Sequence, residues 1–176
     1  PLGPGAILFF KEGLVWMGKD GKNGLLDKTG KFTPVDLIFT DVPGRFSEGL
    51  ARISSVGGKE GFVDKTGKWV IQPVFDAVGD FSEGLAIVRI SNKRGFIDKT
   101  GKVVIEPQFN WAEPFSEGLA RVSVGQDYGS GGKAGFIDRT GKVVVELQFD
   151  DAASFSEGLA AVKVGNKWGY IGKLLK

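Results

Sequence analysis

Apolar and polar residues alternate over short stretches of this chain, and no stretch holds a 3.6-residue rhythm. Over residues 119–124, Ala120, Val122 and Val124 fall on one face and Leu119, Arg121 and Ser123 on the other, as a strand requires. Ala160, Val162 and Val164 repeat that inner set, and Val15 and Met17 are a worn version of it. Glycine returns every few residues, which would weaken any helix. The pattern predicts short strands joined by tight turns.

The same pattern repeats along the chain. Gly61-Phe62-Val63-Asp64-Lys65-Thr66-Gly67-Lys68 recurs from Gly95 and from Gly135, with a worn copy from Gly24 and a truncated one from Gly169. A second block, Phe46-Ser47-Glu48-Gly49-Leu50-Ala51, returns at Phe81, Phe115 and Phe155, and in degenerate form at Phe10. From Gly61 to Gly95 is 34 residues, as it is from Gly135 to Gly169; the longer intervals hold insertions between the blocks, where surface loops tolerate them. One unit resolves into strand A (85–90), a turn at 91–93, strand B (94–98), a turn at Asp98-Lys99-Thr100-Gly101 and strand C (102–105). The tail Glu106-Pro107-Gln108-Phe109 carries proline, so it should leave the ladder or lie on an edge.

Composition narrows the chemistry. The 28 glycines in 176 residues fit a turn-rich all-β chain, and 7 prolines without a G-X-Y period exclude collagen. The net charge of +2 gives no reason to expect nucleic acid, and no apolar run is long enough for a spanning helix, so no membrane insertion is expected. With neither cysteine nor histidine, thiolate sites, histidine triads and most zinc sites are excluded. The lack of cysteine leaves the compartment open. Pro1 to Gly5 reads as a leftover of cloning or a disordered start, and residues 6–176 as a single β-repeat domain: a partial unit, units from about 24, 61, 95 and 135, and a truncated unit from 169.

The pairing of G-F-I-D-K-T-G-K with F-S-E-G-L-A resembles the WG-repeat (KWG) family of bacterial β-rich repeats over residues 10–173. The dipeptide that names the family occurs once, as Trp168-Gly169; Asn23, Glu60, Arg94 and Ala134 hold the tryptophan column elsewhere. The resemblance implies a repeat architecture and a binding or interaction role, without a shared catalytic activity. Two architectures suit such units: an open β-repeat array of three antiparallel strands per unit, which is favoured, or a closed propeller of about five small blades. In either, the expected core is Phe62, Phe96, Phe136, Phe75, Phe109, Phe149, Phe81, Phe115 and Phe155 with the Val-Ile pairs of strand C.

The regular polar columns read as structural. Asp27, Asp64, Asp98 and Asp138 stand where a turn begins, with a glycine three residues later to take positive φ. Glu12, Glu48, Glu83, Glu117 and Glu157 precede glycine in a connection and read as turn and solubility residues. Lys28, Lys31, Lys65, Lys68, Lys99, Lys102, Arg139 and Lys142 would form a solvated edge. Gly-Ser-Gly-Gly at 129–132 lacks the phosphate-loop lysine and reads as a flexible loop.

Residues that break the repeat carry more information. Trp16 shares a column on the outer side of strand A with Arg52, Ile87, Arg121 and Ala161. Trp111 stands where Ala77 and Asp151 stand, and Tyr128 lies in the long glycine-rich loop. Trp16, Trp111, Tyr128, Arg52 and Arg121 are therefore the candidate ligand contacts. The expected role is a non-catalytic module, without cofactor or metal, that displays variable residues to a protein or peptide, with strand addition to a free edge as one mode. Carbohydrate or cell-wall binding through exposed aromatics, and a spacer within a longer protein, are the alternatives.

Overall fold

The structure, a computed structural model, describes residues 10–37, 43–125 and 132–173. These residues form β-strands and no α-helix, as the alternation predicts. The chain divides into two compact units, Pro1–Asp80 and Phe81–Lys176.

In the first unit, β1 (Leu14–Lys19), β2 (Lys22–Asp27) and β3 (Phe32–Pro34) form one antiparallel sheet. β4 (Ala51–Ser54), β5 (Glu60–Val63) and β6 (Trp69–Phe75) form the next, and a short β7 (Ala77–Val78) follows. Leu25, Phe46, Ala51, Ile53 and Val63 make the buried cluster, with Trp16 and Trp69 half-buried against it.

The second unit repeats the scheme more regularly. β8 (Leu85–Ile90), β9 (Lys93–Asp98) and β10 (Val103–Phe109) pair in that order as strands A, B and C. β11 (Trp111–Ala112), β12 (Leu119–Val124), β13 (Lys133–Asp138) and β14 (Val143–Phe149) form a four-stranded sheet. β15 (Asp151–Ala152), β16 (Leu159–Val164) and β17 (Lys167–Gly172) form a three-stranded one. The short strand that follows a C strand thus joins the next sheet, as β11 and β15 do. None of these sheets closes into a barrel, and repeats of about 34 residues fit an open array.

Strand C runs further than the alternation suggests. β6 and β10 continue through Pro73 and Pro107 to Phe75 and Phe109. In each, the register shifts across the proline, so the missing N–H falls in a bulge where the ladder makes no demand on it. The bulged backbone folds over the glycine of strand B. A Cβ at Gly61, Gly95 or Gly135 would sit on the backbone around residues 71–73, 105–107 or 145–146, closer than real side chains approach. This close approach requires glycine at that position.

The nine expected core phenylalanines are all buried. The Val-Ile pairs of strand C divide instead: Ile71 and Ile105 are buried, while Val70, Val104 and Val144 face solvent, because strand C is an edge strand with one face open. Strand A also departs from simple alternation. Ala120 and Val122 enter the cluster around Phe96 and Phe109, while Leu119, on the opposite face, enters the cluster around Phe136 and Phe149. Arg121 and Ser123, expected to face outward, are buried as well, because β12 lies between two repeats. Val124 and Val164, expected inside, are exposed at the strand ends.

Neighbouring repeats are joined through the F-S-E-G block. Each block is a tight turn in which Glu and Gly both take positive φ, at 53° and 80° for Glu83-Gly84 and 55° and 79° for Glu117-Gly118. Such turns favour Asn-Gly, and a glutamate there is strained. Its carboxylate compensates by reaching into the next repeat. Gly118 N–H donates to Glu83 at 2.9 Å, Gly158 N–H to Glu117 at 3.0 Å and, in the first unit, Gly49 N–H to Glu12 at 3.0 Å. The serine hydroxyls run in parallel: Ser82 donates to the Phe115 carbonyl and Ser116 to that of Phe155, both at 2.8 Å. The phenylalanines stack alike, with Phe96–Phe115 centroids at 4.9 Å and 61° and Phe136–Phe155 at 4.8 Å and 66°. Matched residues therefore occupy matched surroundings.

Gly135→Ala is expected to cost about 1–3 kcal/mol, as overpacking does, because the β14 backbone must retreat. Urea denaturation of the two proteins side by side measures it.

Candidate binding surface

The aspartate turns are built alike. In Asp98-Lys99-Thr100-Gly101, Asp98 Oδ1 accepts from Thr100 N–H at 2.9 Å, Thr100 Oγ1 at 2.6 Å and Lys102 N–H at 3.1 Å. Asp27, Asp64 and Asp138 repeat this arrangement, and Gly30, Gly67, Gly101 and Gly141 take the positive φ. The bond from the threonine hydroxyl holds the Asp27, Asp98 and Asp138 carboxyls below the usual aspartate range. At Asp64 burial is the largest single influence and opposes this, yet the bonds from Thr66 and Lys68 still bring it down. These carboxylates serve the turn. Among the described residues, no group of three or more His, Cys, Asp or Glu is placed to hold a metal ion.

The candidate contacts divide by surroundings. Trp16 is half-buried, its Nε1 donates to the Gly44 carbonyl at 3.0 Å, and its ring stacks on Phe46 at 5.9 Å. Arg52 is exposed and lies 3.7 Å from Asp80. Trp111 is half-buried; the Arg94 guanidinium covers its ring at 4.1 Å and its Nε1 donates to Glu113 at 2.6 Å. Arg121 is only 5% exposed; it donates to Asp151 at 2.7 Å and lies 3.8 Å from Glu113. Trp111 and Arg121 therefore meet at Glu113, while Trp16 and Arg52 lie in the first unit. Tyr128 and most of the glycine-rich loop lie outside the described residues.

Three members of the tryptophan column share a task despite their mixed chemistry. Asn23 donates to the Leu37 carbonyl at 3.4 Å, Glu60 accepts from Val78 N–H at 2.7 Å, and Arg94 donates to the Asn110 carbonyl. Each ties strand B to the segment that follows strand C. The lysine one place earlier does likewise: Lys59 bonds Asp76, Lys93 bonds Asn110 at 2.9 Å, and Lys133 bonds Asp150 at 2.6 Å.

The last sheet differs, and sequence reasoning passed over it. Trp168 and Tyr170 on β17 are 56% and 77% exposed, Leu159 on the same face of β16 is also open, and Val164 is open on the opposite face. Leu50, Leu85 and Leu119, the counterparts of Leu159, are buried. Next to this strand, Leu119, Val145, Phe149, Phe155 and Ile171 line a cleft of about 510 Å³. The signal was present in the truncated copy after Gly169, which supplies strand B without a recognisable strand C.

The model of the WG-containing repeat matches residues 61–93, 95–128 and 135–168, more than half of the chain. The chain belongs to the WG-containing repeat family. No curated protein matches the sequence. Among solved structures, the computationally designed Ika4 protein is similar at 12% identity and a TM-score of 0.48, over 72% of this chain and 87% of that one. A likeness at that level carries no argument. Each match begins in strand B and runs through the aspartate turn and strand C to strand A of the following sheet.

Because the folded carboxyls of Asp98 and Asp138 are held below their unfolded range, their contribution is complete above the unfolded pKa of about 3.9 and is lost as pH falls through the lower folded values. Asp138→Asn is expected to shallow the fall in melting temperature across that acid window. A thermal scan at stepped pH checks the sign.

Proposed function

We propose that this WG-repeat chain is a non-catalytic display module for protein or peptide partners. Its framework repeats in bonds and geometry, while the side chains placed on that framework vary from unit to unit. The observation that supports the reading is the exposed apolar group Leu159, Trp168 and Tyr170 on one face of the last sheet. Monomeric proteins rarely leave such residues together in solvent unless something docks on them. Two of the three are aromatics, whose large area and polar tips suit peptide contacts.

Carbohydrate binding is the second reading, favoured by the two exposed rings, each of which could stack on a sugar. Trp111 supports it less, since Arg94 already covers one face of its ring.

Panning the protein against displayed random peptides, in parallel with titration by soluble glycans read through tryptophan fluorescence, separates the two. Enrichment of apolar peptides with no glycan response is expected. A glycan-dependent shift with no peptide enrichment would replace the first reading by the second.

A further inference from the structure

We propose that the cation at the second position of the aspartate turn fastens its repeat to the one before, at Lys65 in the first unit and at Arg139 and Lys173 in the second, and that these joints loosen as salt rises. This goes beyond the display reading and does not depend on it.

The sequence groups these cations with the later lysine of each turn in one solvated edge, and the structure separates the two sets. Lys65 Nζ lies 3.0 Å from Glu12 Oε2, the same oxygen that accepts from Gly49 N–H at 3.0 Å. Glu12 precedes β1, while Gly49 and Lys65 belong to the repeat of β4, β5 and β6. One carboxylate of one repeat thus holds two separate turns of the next. Burial pushes the Glu12 carboxyl up, but the bonds from Lys65 and Gly49 outweigh it and bring the carboxyl below its ordinary value, so it is charged at neutral pH. Lys68 and Lys142 behave differently. Each gives its backbone N–H to the aspartate of its own turn at 3.1 Å, and among the described residues their ammonium groups hold no ion pair.

The second unit repeats the placement. The Lys173 ammonium donates to the Glu117 carbonyl, in the turn whose carboxylate holds Gly158 N–H. The Arg139 guanidinium lies against the Glu83-Gly84 turn, 3.3 Å from where a Cβ on Gly84 would stand, and Glu83 holds Gly118 N–H. The atoms that meet the cation differ, but the two kinds of turn brought together are the same. A turn that carries a carboxylate attracts a cation whichever atom is nearest. The copy from Gly169 keeps this cation where other turn residues change: Gly172 replaces the aspartate, and Lys173 remains.

The Lys65 and Glu12 side chains are 45% and 26% exposed. Such a pair contributes little by itself and is open to screening, whose length falls to about 3 Å at 1 M salt. With the pair screened, the carboxylate-to-glycine bond stands without its second anchor and the joint opens more often.

Amide exchange read by NMR on the whole chain tests this. In Lys65→Met, Gly49 N–H is expected to exchange about two- to fivefold faster, the range for an exposed ion pair. Lys68→Met, which removes the same charge from the same turn, should leave it unchanged, and Lys65→Arg should keep the protection. Arg139→Met should act alike on Gly118 N–H, with Lys142→Met as its control. Raising NaCl to about 1 M should speed exchange at Gly49 in the wild type and not in Lys65→Met. Equal exchange at Gly49 in Lys65→Met and Lys68→Met, or a salt response that survives in Lys65→Met, overturns the proposal. So does an equal acceleration at the Phe62 amide inside β5, which would make the effect a loss of global stability.

Discussion

A glutamate carboxylate that accepts the glycine N–H of the next repeat is the interaction on which the second unit depends. Glu83 and Glu117 make it at 2.9 and 3.0 Å, and each does so from a backbone conformation that an L-residue other than glycine or asparagine rarely adopts. A glycine or asparagine would form the turn more easily. Glutamate recurs because its longer side chain spans to the neighbouring turn. The bond links identical positions in successive repeats, so it sets their spacing, and the serine-to-carbonyl bond beside it fixes the same relation from a second point.

The hydrophobic core follows from that spacing. Phe96 meets Phe115, and Phe136 meets Phe155, at nearly equal distance and tilt. The clusters form between repeats and not within them, which is why β12 is buried on both faces and why Arg121 needs Asp151 and Glu113 around it. In the last sheet Leu159 is exposed where Leu85 and Leu119 are covered.

Much of this was legible in the sequence. Alternation gave the strands, the phenylalanine columns gave the core, and aspartate followed by glycine at three residues gave the turn, because each rests on a local rule. What escaped was non-local. Nothing near Glu117 indicates that its partner is Gly158, although a glutamate where a tight turn prefers asparagine was a hint. Arg121 reads as outward from its alternation, and only a second repeat on its far side buries it. Trp111 reads as a free aromatic, yet its ring lies under Arg94 of β9. The glycine of strand B could not be read as a packing residue without knowing that strand C crosses it, a contact that depends on a bulge opposite it.

Amide hydrogen exchange at Gly118 in the Glu83→Ala protein tests the coupling between repeats most directly, since Gly118 N–H donates to Glu83 across the repeat boundary. Gly118 N–H should be protected in the wild type and lose protection in the variant, while Gly158 N–H, held by Glu117, stays protected. Equal exchange at Gly118 in both proteins would contradict the account.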